Sequence, residues 1–115
     1  DPFPDWMQES DWAVYIEAFK KSGMMGPANR YRAQAFDALA LPALHGKQLV
    51  QPSCFIGGSR DAVRHFIPGA DLYEDPGADC LDYRGTTFID GAGHWVQQEA
   101  PEQTNTALDQ FIEGL

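Results

Sequence analysis

Apolar residues recur at helical spacing twice in the first forty positions, then give way to short unbroken apolar runs. Trp12, Tyr15, Ile16 and Phe19 follow the i, i+3, i+4, i+7 pattern that lays side chains along one face of a helix. Ser10 is placed to cap that helix, Asp11 suits its first turn, Lys20 and Lys21 its last, and Gly23 can close it. The helix is expected to run to about residue 22, with its aromatic stripe as core and no chemistry of its own. Gly26-Pro27 opens a second helical segment reaching roughly Leu39, with Pro27 suited to its first position. Residues 1–8 read as an extended, Pro-rich lead-in. Residues 40–52 read as a connection, broken by Pro42 and Gly46 and ended by Pro52.

The pattern then changes period. Ser53-Cys54-Phe55-Ile56 is an apolar run bounded by Pro52 and Gly57-Gly58, as expected of a strand buried on both faces of a parallel sheet. Residues 59–64 form a loop that can start a helix, and residues 68–82, rich in Gly, Pro and Asp, an irregular excursion. Thr86-Thr87-Phe88-Ile89 is a second buried strand. It ends at the turn Asp90-Gly91-Ala92-Gly93, which presents His94. After Pro101, Glu102 to Leu115 reads as a terminal helix with Leu108, Phe111 and Ile112 on one face. Strand, loop, strand and helix in that order fit the tail of a mostly parallel α/β sheet. The strand-free first half differs in kind, so a boundary is expected near residues 46–51, dividing the chain into 1–46 and 47–115.

Composition narrows the partners more than the fold. The chain has 115 residues, 43 % of them hydrophobic and 12 % aromatic, enough to bury a core. A formal charge of −9 argues against nucleic acid or an anionic membrane as partner. Cys54 sits in an apolar run and is expected in the core, whereas Cys80 lies in a polar stretch. Two cysteines do not make a secreted disulfide scaffold, and nothing resembles a signal peptide or a membrane span, so a reducing cytoplasm is the expected location. The opening Asp1-Pro2-Phe3-Pro4 reads as a linker within a longer protein rather than a natural start.

Candidate chemistry sits at the strand ends, where open α/β sheets place their active sites. Asp61 follows the first strand by a few residues and His94 follows the second after its glycine turn. An Asp accepting from one ring nitrogen fixes the tautomer, leaving the other nitrogen free as a general base. Singly, such an Asp is more often a turn or cap residue, and such a His a surface one; the weight lies in the pairing. His45 and His65 lack metal-ligand spacing, and neither a metal nor a cofactor is expected.

The residues around the pair sharpen the reading. Gly58-Ser59-Arg60-Asp61-Ala62-Val63 resembles the acid loop of α/β-hydrolases. Gly91-Ala92-Gly93-His94-Trp95-Val96-Gln97-Gln98-Glu99-Ala100-Pro101-Glu102 is similar to the histidine loop of epoxide hydrolases. Gly-x-Gly-His is common to many α/β-hydrolases; the continuation through Trp95, Gln98, Glu99 and Pro101 is narrower. Gly26-Pro27-Ala28-Asn29-Arg30-Tyr31-Arg32 resembles the cap-domain segment of the same family, with Arg30 where an aromatic is frequent. The resemblance spans essentially the whole chain. It implies the C-terminal part of an α/β-hydrolase fold: a helical cap segment, then the last strands and terminal helix of the sheet.

The resemblance also implies a role for each residue. An upstream Asp opens an epoxide and forms a hydroxyalkyl ester, Tyr31 is one of two phenols activating the ring, and His94, oriented by Asp61, activates the water that releases a vicinal diol. Trp95 is expected to line the substrate pocket, and the activity is of a detoxifying kind. No Gly-x-Asp-x-Gly elbow or His-Gly-x-Pro oxyanion loop occurs in these residues, so the N-terminal remainder of the fold is required and the fragment alone is expected to be inactive. The alternatives are a haloalkane or haloacetate dehalogenase, which needs no tyrosine pair; a serine esterase, which needs a Gly-x-Ser-x-Gly elbow; and a truncated, non-catalytic interaction domain.

Overall fold

The computed structural model describes residues 3–115, so Asp1 and Pro2 of the expected lead-in lie outside the described residues. Two compact units divide between Lys47 and Gln48. The first unit is helical. Its opening is not extended: the Met7 N–H bonds back to the Pro4 carbonyl at 3.0 Å, closing a turn. Helix α1 (Glu9–Ser22) begins one residue before the expected cap, because Gln8 rather than Ser10 is the capping residue. The Gln8 N–H donates to Asp11 Oδ2 at 3.0 Å, satisfying a donor that the first turn leaves without an intrahelical partner. At the other end Gly23 adopts φ 70°, a conformation that favours glycine, and its N–H reaches the Phe19 carbonyl at 2.8 Å.

The stripe of α1 is not core among the described residues. Trp12, Tyr15, Ile16 and Phe19 are 36–45 % exposed, and α1 buries no residue. Helix α2 (Met25–Ala40) starts earlier than expected, with Met24 as its cap, so Pro27 is its third residue rather than its first. Nothing is lost there, since the first backbone bond into the helix comes from the Ala28 N–H to the Met24 carbonyl at 3.0 Å. A single 3-10 turn (Pro42–Leu44) follows.

The second unit is built on two strands, β1 (Leu49–Gly58) and β2 (Cys80–Ile89), paired in parallel. Both are longer than the apolar runs suggest. Pro52 lies inside β1, where its missing N–H coincides with a register irregularity between Leu49 and Pro52. Gly57 and Gly58 belong to the strand rather than bounding it, pairing with Phe88 and Ile89. The strands are not buried on both faces. Among the described residues only Gly57, Gly58 and Ile89 of the two strands are buried, since each strand has a single neighbour here. Cys54, expected in the core, is half-buried, and both cysteines are free thiols.

A four-residue helix, α3 (Val96–Glu99), precedes helix α4 (Pro101–Glu113), which packs on α3 and on both strands. The expected apolar face of α4 is only partly covered, with Phe111 half-buried. Thr104 and Ala107 are buried, while Leu108 is 41 % and Ile112 60 % exposed. The Thr104 hydroxyl lies 2.8 Å from the Ala100 carbonyl and 3.0 Å from that of Val96, tying α4 to α3. The core gathers Ile89, Ala92, Val96 and Ala100, with Ile56 packed against them. It therefore lies directly beneath the ends of the strands, where the candidate residues emerge.

Candidate active site

Parallel pairing brings the carboxyl ends of β1 and β2 side by side, and the loops leaving them are stitched together by backbone. Ser59 N–H donates to the Ile89 carbonyl at 3.0 Å and Arg60 N–H to the Ala92 carbonyl at 2.9 Å. Gly58 permits this approach. A Cβ there would fall 2.7 Å from the Ala92 carbonyl carbon, and closer still to the carbonyl oxygens of Ala92 and Gly93. The Ser59 hydroxyl adds a third stitch, accepting from Gly91 N–H at 2.9 Å and lying 3.2 Å from Asp90 Oδ1. Gly91 turns the chain at φ 76°.

Asp61 stands at the head of a short 3-10 turn (Ala62–His65) and is 3 % exposed. Its Oδ1 accepts from Val63 N–H at 2.8 Å, the geometry of a cap. Its Oδ2 lies 2.8 Å from His94 Nδ1 and accepts from the Tyr73 hydroxyl at 2.6 Å. An ionised carboxylate only accepts, so Nδ1 carries a proton, and in the neutral ring Nε2 presents its lone pair. Burial pushes the Asp61 carboxyl up, but hydrogen bonds from Tyr73, His94 and Val63 together bring it below its ordinary value. The acid is thereby held as an anion. Burial, followed by the hydrogen bond and charge of Asp61, raises the Tyr73 phenol to about 12, so Tyr73 keeps its proton and donates.

The loop bearing His94 has a clamp of its own. Glu99 in α3 accepts from Gly93 N–H at 2.6 Å and from Trp95 N–H at 2.9 Å, gripping the backbone on either side of the histidine. Trp95 meets the imidazole edge-on, with centroids 5.1 Å apart, and is 55 % exposed.

Tyr73 reaches Asp61 because the excursion after the 3-10 turn folds back on itself. Arg64 pairs with Asp71, whose Oδ1 also accepts from Tyr73 N–H at 2.9 Å, and Leu72 N–H donates to the Arg64 carbonyl at 2.9 Å. The Arg64 guanidinium stacks 4.8 Å over Phe88, and the Tyr73 ring meets Phe55 edge-on at 4.7 Å. The Arg64 hydrogen bond and the Tyr73 N–H hold the Asp71 carboxyl down at about 2.

The structure thus brings Asp61, His94 and Trp95 together in the second unit. Tyr31 lies on α2 of the first unit, 72 % exposed, beside Asn29 and Arg32, whose side chains bond at 3.2 Å. His45 bonds to the Ala38 carbonyl at 2.7 Å, and His65 closes the 3-10 turn. Among the described residues no group of three or more His, Cys, Asp or Glu side chains is arranged to hold a metal. A concavity of about 360 Å³, lined by Cys54, Ile56, Thr87 and Phe111 among others, contains neither Asp61 nor His94. Sequence reasoning missed Tyr73, which lies in a stretch without periodicity. It also missed the task of Glu99, for which the i, i+4 spacing from Trp95 was the available signal.

Comparison with known proteins finds relatives with one name. Epoxide hydrolase B of Mycobacterium tuberculosis is 40 % identical over 115 residues, covering 100 % of this chain and 32 % of that protein. The crystal structure of epoxide hydrolase A from Mycobacterium thermoresistibile superposes with a TM-score of 0.85 at 34 % identity, covering 100 % of this chain and 35 % of that one. The chain is similar to the C-terminal part of epoxide hydrolases, an α/β-hydrolase family. It spans about a third of the length of the relatives it matches. An epoxide hydrolase from an endophytic Streptomyces superposes with a TM-score of 0.86 at 38 % identity over 99 % of this chain and 34 % of its own. No protein-family model matches the sequence. The α/β fold class and family resemblance expected from the epoxide hydrolase motifs both hold.

Proposed function

We propose that this chain supplies the water-activating half of an epoxide hydrolase that converts epoxides to vicinal diols. The observation that carries the reading is the 2.8 Å contact between His94 Nδ1 and the buried carboxylate of Asp61, set in a histidine loop of the epoxide hydrolase kind. In the first step a carboxylate from the N-terminal remainder attacks an epoxide carbon. The ring C–O bond breaks, and the oxygen takes its proton from a phenol, Tyr31 being one of two such donors. In the second step His94 Nε2 removes a proton from water, and the hydroxide adds to the ester carbonyl. Asp61 stabilises the imidazolium, which returns its proton to the alkoxide as the diol leaves, and the carboxylic acid so formed passes its proton to the phenolate, restoring carboxylate and phenol together. Trp95, edge-on to His94, forms a wall of the pocket. A charged acid buried beside a half-exposed base suits this division, because the base must meet water and the acid must not.

The test is made in the full-length protein. With His94→Gln, mixing with an epoxide should yield protein heavier by one epoxide, seen by mass spectrometry, with turnover lost. Retained turnover without an adduct rules the role out.

A further inference from the structure

We propose that Tyr73 is a positioning residue for the acid–base pair, its hydroxyl selecting the carboxylate oxygen that Asp61 presents to His94; this rests on the function proposed above. The Asp61 carboxylate has three hydrogen-bonding partners, and they divide unequally. Oδ1 is held by a backbone N–H of its own turn, whereas Oδ2 is held jointly by His94 and Tyr73 at 2.8 and 2.6 Å. With the Val63 contact alone opposite the histidine, the carboxylate can pivot about its Cβ–Cγ bond. The phenol supplies the further fixed point that stops it.

The phenol is itself held at several points. Asp71 accepts from its backbone N–H, Phe55 meets its ring edge-on, and Phe88 stacks at 6.5 Å. Arg64 ties Asp71 to the 3-10 turn that Asp61 caps. The ionisable and charged groups around the carboxylate are thus His94, Tyr73, Arg64 and, beyond Arg64, Asp71. Among them only Tyr73 offers a neutral hydroxyl to the oxygen that His94 uses. Sharing that oxygen has two consequences. The donor fixes the direction in which Nδ1–H points, and it draws charge from the carboxylate, moderating its pull on the imidazolium.

Tyr73→Phe in the full-length hydrolase removes the hydroxyl and keeps the ring. Single-turnover kinetics should show an unchanged alkylation step and ester hydrolysis slowed about tenfold, the scale of one hydrogen bond to a charged group. The acid limb of the hydrolysis pH profile should move upward, since the carboxylate pulls harder on the imidazolium. Replacing Tyr73 by 3-fluorotyrosine, a stronger donor, should move the limb downward. An unmoved limb in both proteins overturns the proposal, whatever the plateau rate does, because it leaves the ring with packing alone. The low-field proton resonance of His94 Nδ1–H, read without substrate, separates this inference from the choice of substrate. A resonance displaced by Tyr73→Phe sustains the positioning role even where no epoxide is turned over. One that stays in place refutes it even where epoxides are good substrates.

Discussion

Gly58→Ala tests whether the distance between acid and base is set by backbone meeting backbone. The added methyl would stand 2.7 Å from the Ala92 carbonyl carbon, against roughly 3.5 Å for comfortable carbon–carbon contact, with two carbonyl oxygens nearer still. None of these obstacles is a flexible side chain, so the loops must part by about 1 Å. That movement stretches Arg60 N–H to Ala92 O from 2.9 Å, and His94 Nδ1 to Asp61 Oδ2 from 2.8 Å, beyond useful hydrogen-bond length. Overpacking of about 1–3 kcal/mol and two lost hydrogen bonds at about 1 kcal/mol each give a destabilisation of about 3–5 kcal/mol. Urea unfolding of the full-length protein reads this term. Single-turnover kinetics should show the ester accumulating, with hydrolysis impaired far more than alkylation. A variant within about 1 kcal/mol of the parent that hydrolyses ester at the parent rate would refute the reasoning.

Asp61→Asn should slow ester hydrolysis by about a hundred- to ten-thousand-fold, because the amide can offer a donor where His94 and Tyr73 need an acceptor; stopped-flow decay of the ester measures it. Tyr31→Phe should slow alkylation about a hundredfold and leave hydrolysis of preformed ester alone, the second phenol softening the loss; equal rates would make Tyr31 a packing residue. The Arg64–Asp71 pair should contribute stability that is fully present above the ordinary Asp value of 3.8 and is lost as pH falls through the depressed value of about 2. Urea titrations across that range should therefore show a weaker acid dependence in Asp71→Asn than in the parent.

The parts of this fold legible in the sequence are those whose causes are local. The helices announce themselves by spacing, and His94 by the glycine turn that delivers it. Both strands were cut short, at Pro52 and within the Gly- and Asp-rich run before Thr86, because pairing with a neighbour outweighs intrinsic preference there. The stripe of α1 and the face of α4 show the reverse error. Periodicity identifies an apolar face but not whether anything covers it, and Trp12 and Ile112 remain exposed. Asp61 was readable because it follows a strand. Tyr73 was not, since its meeting with Asp61 depends on Arg64 and Asp71 closing an irregular segment, a tertiary event with no period.

The Glu99 clamp bears on the order of assembly. Its bond to Gly93 closes six residues, whereas the bond from His94 to Asp61 closes thirty-three. By the logarithmic growth of loop entropy the longer closure costs about 1.5 kcal/mol more. The histidine loop can thus take its shape before β1 arrives, so that the acid docks against a base whose backbone is already set. A Glu99→Gln change should accordingly slow folding more than it speeds unfolding, leaving the base to be shaped only once the sheet has closed.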